Sequence, residues 1–93
     1  MRTIDRTNQF KRDYKRELKG QHRATLEGDL VKVLKVLVSD TPLAEKYRDH
    51  ALTGEWKDSR DCHIKPDLVL IYQKPDDKIL QLVRLGSHSE LGL

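Results

Sequence analysis

The stretch DLVLIYQKPDDKILQLVRLG, residues 67–86, decides the fold of this chain. It contains two runs rich in β-branched, aromatic and leucine residues, DLVLIYQK (67–74) and ILQLVRLG (79–86), with PDDK between them. Apolar runs of this length, bounded by proline and aspartate, are typical of strands joined by a short turn. The stretch therefore predicts an antiparallel β-hairpin.

The residues before this hairpin predict further strands. The residues of WKDSRDCHI (56–64) alternate as in a strand. Lys65-Pro66 marks a bend before the next strand. At the other end of the chain, RTIDRT (2–7) alternates weakly and predicts a short edge strand. The residues after the hairpin, SHSELGL, are interpreted as a tail.

Two helices are predicted between these strands. Phe10, Tyr14 and Leu18 are four residues apart and share one helix face, and Gly20 is a suitable stop. A second helix from His22 to Ser39 is indicated by a stripe of apolar residues, Leu26, Leu30, Val33, Leu34 and Leu37. Pro42 prevents its continuation.

The order of these elements indicates an α+β fold over residues 1–93, a single domain. An N-terminal strand and a helical hairpin are expected to pack on one face of a mostly antiparallel sheet of four to five strands.

The composition predicts a cytoplasmic protein with no membrane segment. Charged residues make up 35% of the chain, and no apolar run approaches the roughly 20 residues of a membrane helix. No secretory signal is visible. Cys62 is the only cysteine, which excludes an internal disulfide and fits a reducing compartment.

Basic residues are concentrated in the N-terminal third. The chain carries a net charge of +3, yet residues 1–24 contain eight Lys/Arg against three Asp/Glu, a local net charge of +5. Such clustering favours nucleic acid or an acidic protein as a partner. A solvated helix face is the simpler interpretation of the same charges.

Histidines and acids surround the predicted strand 56–64. Asp61 and His63 share one face of that strand, and Asp67 opens the next strand. A carboxylate near an imidazole fixes its tautomer and raises its pKa, which suits proton transfer near neutral pH. His50 lies upstream, and His88 follows the last strand. The alternative interpretation is ordinary surface histidines.

No nucleophile motif accompanies these histidines, so acid–base chemistry would need a substrate that brings its own nucleophile. RNA is such a substrate, because its 2′-hydroxyl can attack the adjacent phosphate. Lys57, Arg60 and Arg84 are candidate cations for that phosphate. Trp56 could stack on a base or anchor the sheet. A metal site of His50, Cys62, His63 and Asp67 is the weaker alternative, because Cys62 and His63 point apart and no ligand spacing is recognisable, so no metal is predicted.

Three motifs in register resemble the YafQ branch of the RelE/ParE superfamily of bacterial type II toxins. They are Y-x-D-H-x-L-x-G-x-W and R-D-x-H-x-x-P-D within residues 47–73, and G-[ST]-H within LVRLGSHSEL (82–91). The resemblance extends over essentially the whole chain and implies a RelE-like fold. It also implies a toxin, with no cofactor, that cleaves mRNA in the A site of the 70S ribosome and is held inactive by an antitoxin.

The resemblance implies roles for individual residues. His50, His63 and Asp67 match catalytic positions, and His88 matches the general acid that protonates the leaving 5′-oxygen. Asp61 matches a supporting residue, and Arg84 stands where relatives keep an arginine near the scissile phosphate.

One position departs from the family pattern. Relatives carry a phenylalanine shortly after the last histidine, and this chain has Gly92 there. Gly92 offers no ring, which is compatible with a weakened toxin, an altered chain or a lineage that does without the ring.

Two other functions fit a fold of this class. One is a ParE-type toxin that inhibits DNA gyrase, and the other is a non-catalytic RNA-binding or ribosome-binding module. The histidine set distinguishes the endonuclease from the gyrase inhibitor, because a gyrase-binding surface does not need several imidazoles around one cleft. Whether expression stops translation, replication or neither separates all three.

Overall fold

The predicted hairpin forms the middle of a five-stranded sheet in the computed structural model, which describes residues 1–93. The strands are β1 (Thr3–Arg6), β2 (His50–Ala51), β3 (Arg60–Lys65), β4 (Leu68–Gln73) and β5 (Ile79–Gly86). Their order is β1-β5-β4-β3-β2. The β1–β5 pair is parallel and the other three pairs are antiparallel. The predicted α+β fold with a mostly antiparallel sheet is confirmed.

The helices are α1 (Asn8–Leu18), α2 (Leu26–Val38) and α3 (His88–Leu91). The Thr7 side chain caps α1 by accepting the Phe10 N–H. Helix α2 begins four residues later than predicted, because the segment 21–25 offers almost no apolar surface to hold a helical turn against the sheet. None of the three helices is both long and apolar enough to cross a membrane.

Strand β4 is buried on both faces, which explains its continuous apolar run. Leu68, Leu70 and Tyr72 belong to the main core of fourteen buried residues beneath α1 and α2. Val69 and Ile71 point to the opposite face and pack against a second, smaller cluster. That cluster also contains Leu52, Trp56, Val83 and Leu91.

Two local predictions were wrong. The strand predicted from Trp56 begins only at Arg60, because Gly54–Trp56 forms a 3₁₀ turn and Asp58, with φ of +72°, reverses the chain. The predicted tail is helix α3, which has a capping box between Ser87 and Glu90. Leu91 buries this helix against the second face of the sheet.

Helix α1 completes the edge of β5 where β1 ends. The Thr7 hydroxyl donates to the Val83 carbonyl at 2.7 Å. The buried Asp13 carboxylate accepts the Leu85 N–H at 3.0 Å and Arg84 Nε at 2.7 Å. Side chains of α1 therefore satisfy polar groups that a neighbouring strand would otherwise satisfy.

Replacing Asp13 should destabilise the fold. Asp13→Ala leaves the Leu85 N–H unsatisfied and the Arg84 guanidinium without its partner. We expect a loss of roughly 3 kcal/mol, the lower end of the range for breaking a buried ion pair, because part of Arg84 stays in water. Urea unfolding monitored by circular dichroism measures it, with Asp5→Ala on the exposed β1 as control. A loss below about 1 kcal/mol contradicts the role given to Asp13.

Candidate active site

His63 and His88 meet on the face of the sheet opposite the helical hairpin. Strand β3 directs Cys62 into the main core and His63 to the other side, and α3 follows β5 directly. The two imidazole rings lie 4.9 Å apart between centroids, at 65° to each other. The capping box and buried Leu91 hold this four-residue helix, so the contact is fixed by packing.

His50 and Asp61 pair across β2 and β3 on the same face. His50 Nδ1 lies 3.0 Å from Asp61 Oδ1 and 2.8 Å from the Arg48 carbonyl oxygen. The hydrogen-bond geometry favours the carbonyl, so Oδ1 of the buried Asp61 is left without a hydrogen bond. A carbonyl only accepts, which places the proton on Nδ1 and leaves Nε2 of neutral His50 as an acceptor.

Burial dominates the electrostatics of the site. It raises the pKa of the Asp61 carboxyl, although the charges of His50, His63 and His88 oppose the shift. Burial also lowers the pKa of His63, and the neighbouring His88 lowers it further. The Asp61 carboxylate acts in the predicted direction and raises the pKa of this imidazole, but desolvation and like charges outweigh it and the net shift is downward. This downward shift favours the neutral form of His63 at pH 7.

The two histidines open onto a polar cleft of about 650 Å³ between α2, the segment 46–48 and the end of β3. Four of its lining residues are cationic: Lys32, Lys46, Arg48 and Lys65. Sequence reasoning missed them all, since the segment 43–55 shows no periodicity and Lys32 is one of several lysines on exposed helix faces. The adjacency of Lys46 and Arg48 to the D-H motif was the available signal.

Two predicted substrate cations are already paired. Arg60 Nε lies 3.2 Å from the Asp49 carboxylate, which also accepts the Tyr72 hydroxyl at 2.6 Å. Arg84 is paired with Asp13. Neither arginine lines the cleft. Their roles toward a substrate stay predictions, and each would require the guanidinium to leave or share its carboxylate.

The remaining predicted residues are spread around the site. Asp67 is exposed in the turn between β3 and β4 and is not hydrogen-bonded to His63. Lys57 is exposed beside the second apolar cluster. Trp56 packs against that cluster, which favours the anchoring interpretation over base stacking. The catalytic or binding roles of all three stay predictions.

Gly92 occupies the C-cap of α3 with φ of +71°. Its N–H donates to the Ser89 carbonyl at 3.3 Å, and the Leu93 N–H donates to the His88 carbonyl at 2.9 Å. A left-handed residue at this position ends α3 one turn after His88, and glycine adopts that conformation at little cost. The position expected to carry a ring therefore ends the helix instead.

No group of three or more His, Cys, Asp or Glu side chains is arranged to hold a metal ion. Cys62 is buried on the helix side of β3, away from His63. The expectation that catalysis needs no metal stays a prediction.

Comparison with known proteins places the chain in one family. Residues 2–92 match the family described as bacterial toxin of type II toxin-antitoxin system, YafQ. The mRNA interferase toxin YafQ of Escherichia coli K12 is 38% identical over 91 residues, covering 97% of this chain and 95% of the relative.

Solved structures agree with this assignment. A copper-bound mutant toxin from Helicobacter pylori has a TM-score of 0.85 and 40% identity, covering 98% of this chain and 99% of the other. YafQ in the E. coli DinJ–YafQ complex has a TM-score of 0.79 and 33% identity, covering 98% of both chains. The chain therefore belongs to the YafQ family of bacterial toxins of type II toxin–antitoxin systems.

Proposed function

We propose that this toxin is an endoribonuclease that cuts messenger RNA on the ribosome and thereby stops translation. The observation that carries the proposal is the contact between a neutral, half-buried His63 and His88 at the mouth of a cationic cleft. The E. coli relative named mRNA interferase supports the same activity.

The proposed reaction is an internal transfer at phosphorus. His63 takes the proton of the 2′-hydroxyl, and the 2′-oxygen forms a bond to the adjacent phosphorus. The bond from phosphorus to the 5′-oxygen breaks, and His88, in its protonated form, donates a proton to that oxygen. The products are a 2′,3′-cyclic phosphate and a 5′-hydroxyl. The guanidinium of Arg48, the one lysine or arginine of the cleft whose charge acts on His63, would stabilise charge on the phosphoryl oxygens.

His50 and Asp61 would support this pair. Hydrogen bonding to the Arg48 carbonyl fixes His50 in one tautomer, with Nε2 available to accept a proton or a substrate hydroxyl. Asp61 lies beneath the histidines and would stabilise positive charge on any of them. In this scheme Asp67 acts only if the substrate brings it to the site, because it is exposed and outside the cleft.

A cognate antitoxin is the second partner that we propose. The E. coli relative forms a complex with DinJ. The basic face of α1 would suit an acidic segment of such a partner, and a segment bound there would also block attachment to ribosomal RNA. Co-expression with the product of the adjacent gene should restore translation.

His88→Ala should lower the cleavage rate by about 10² to 10⁴, because the leaving oxygen loses its acid. Single-turnover cleavage of ribosome-bound message measures the effect. His22→Ala is the matched control, since His22 lies in the turn before α2 and outside the cleft. Unfolding curves of the two variants should coincide. A His88→Ala rate within about threefold of the unmodified protein would remove this residue from the mechanism.

His88→Gln should raise the pKa of His63 toward its usual 6.5, because removing a like charge favours the imidazolium form. In the unmodified protein the pKa should lie below 6.5, so loss of the base by protonation of His63 should slow cleavage only below that pH. Proton NMR titration of the His63 ring measures both proteins. If the pKa of His63 is unchanged or lower in the variant, the charge of His88 does not act on His63 as described.

The exposed lysines of α1 should serve attachment to the ribosome. Lys11, Lys15 and Lys19 are exposed, whereas Arg16 is engaged with Asp13 and with Glu90 at 3.0 Å. Replacing the three lysines by glutamine should weaken ribosome binding and reduce its salt dependence, by up to about one unit of log–log slope for each lost phosphate contact.

Binding of labelled protein to 70S ribosomes across a salt series tests this prediction. Free RNA should be cut far more slowly than ribosome-bound message, since positioning by the ribosome can contribute on the order of 7 to 11 kcal/mol to lowering a barrier. The prediction fails if the triple variant binds with unchanged affinity and slope, or if naked RNA is cut as fast as bound message.

A further inference from the structure

The lysines that line the cleft have no part in the proton transfers at the histidines. Of the four basic residues of the cleft, Lys65 is paired with Asp29 of α2. Lys32, Lys46 and Arg48, the cationic wall of the cleft, form no ion pair with any carboxylate. Asp29 is the one acid in the lining and is paired with Lys65, so the cleft keeps an excess of positive charge that an anionic ligand would neutralise.

Arg48 connects this wall to the catalytic histidines. It adopts a left-handed conformation, with φ of +49° and ψ of +45°, which is strained for a non-glycine residue. Its carbonyl accepts the His50 Nδ1–H, and its guanidinium is close enough to contribute to the lowered pKa of His63. One strained residue therefore holds a histidine through its backbone and presents a cation to the cleft.

The two lysines converge on the same space from different elements. Lys46 Nζ lies 5.1 Å from the centre of the Tyr47 ring, a cation–π contact that limits where the ammonium can go. The pKa of Asp29 is lowered chiefly by its hydrogen bond to Lys65, and the charges of Lys32 and Lys46 lower it further. Both lysines line the cleft together with Asp29.

We propose that Lys32, Lys46 and Arg48 bind the sugar–phosphate backbone of the RNA strand that flanks the cleaved bond. The inference rests on the proposed function and names the binding residues of that site. Lysine and arginine without carboxylate partners suit phosphates, and the Tyr47 face that a base could stack on is occupied by Lys46. Bound this way, the strand is oriented with its 2′-hydroxyl toward the histidines.

The test compares Lys32→Gln/Lys46→Gln with a control that removes the same charge elsewhere. Lys35→Gln/Lys78→Gln is the matched control, because both lysines are exposed and neither lines the cleft. The probe is a single-stranded hexanucleotide methylated at every 2′-oxygen, which binds without being cleaved. Its affinity is measured across a salt series, and ¹H–¹⁵N spectra locate the contact.

The cleft variant should bind the probe on the order of tenfold more weakly at 0.1 M salt, with a log–log slope reduced by about 1.4, the value for two single-strand phosphate contacts. The control should change neither. In the unmodified protein, the amides of segment 46–48 should shift on titration. On ribosomes with bound message, the cleft variant should raise KM and keep kcat within about threefold.

Three results would overturn the proposal. The first is unchanged affinity and slope in the cleft variant, and the second is an equal loss in the control. The third is a cleft variant that binds RNA normally but no longer binds the antitoxin, which would assign the wall to an acidic protein. If the unmodified protein leaves ribosome-bound message intact, the proposed function is wrong. The probe titration does not depend on cleavage and still tests whether Lys32 and Lys46 bind RNA.

Discussion

The unpaired edge of β5 beyond Arg6 constrains the rest of this structure. Where β1 ends, Asp13 and Arg16 of α1 bond to the Leu85 N–H and carbonyl, as a strand would. This brings Arg16 so close that a Cβ on Gly86 would lie 2.8 Å from its Nη2, and a larger residue there would displace the guanidinium. Arg16 then reaches Glu90 of α3. Side chains of α1 therefore contact both the end of β5 and helix α3, and the position of His88 depends on these contacts.

The chemistry of the site follows from apolar packing on the second face of the sheet. Leu91 and Trp56 cover Val69 and Ile71, so the histidines lie at the rim of a small core instead of in open water. Partial burial is what lowers the pKa of His63 and raises that of Asp61. A strand with one solvated face would leave the imidazole near its usual pKa and partly protonated at neutral pH.

Periodicity predicted the hairpin, both long helices and the fold class, because those patterns reflect which face each element buries. The motifs indicated the histidines, and the structure brings three of them together over Asp61. Pairing partners were beyond sequence reasoning: Arg60 and Arg84 bond to carboxylates 11 and 71 residues away. The S-x-x-E sequence at Ser87 is a recognisable capping box. Helix α3 was nevertheless missed, because its four residues are too few to show a helical period. In the cationic wall, Lys46 and Arg48 come from non-periodic chain and Lys32 from an exposed helix face, so no periodic pattern predicts it.

Asp61 raises the question of why a carboxylate is kept buried with one oxygen unsatisfied. Its desolvation is costly while the histidines are neutral, as the raised pKa of its carboxyl indicates. In the proposed reaction the balance changes when His63 accepts a proton, because the new imidazolium lies in a partly water-excluded site. Asp61 is the group that favours that charged form, against burial and the charges of His88 and Arg48. An interaction that strengthens as the proton moves lowers the barrier more than it tightens substrate binding. The unfavourable resting state of Asp61 is thus consistent with a carboxylate placed for the charge that develops during cleavage.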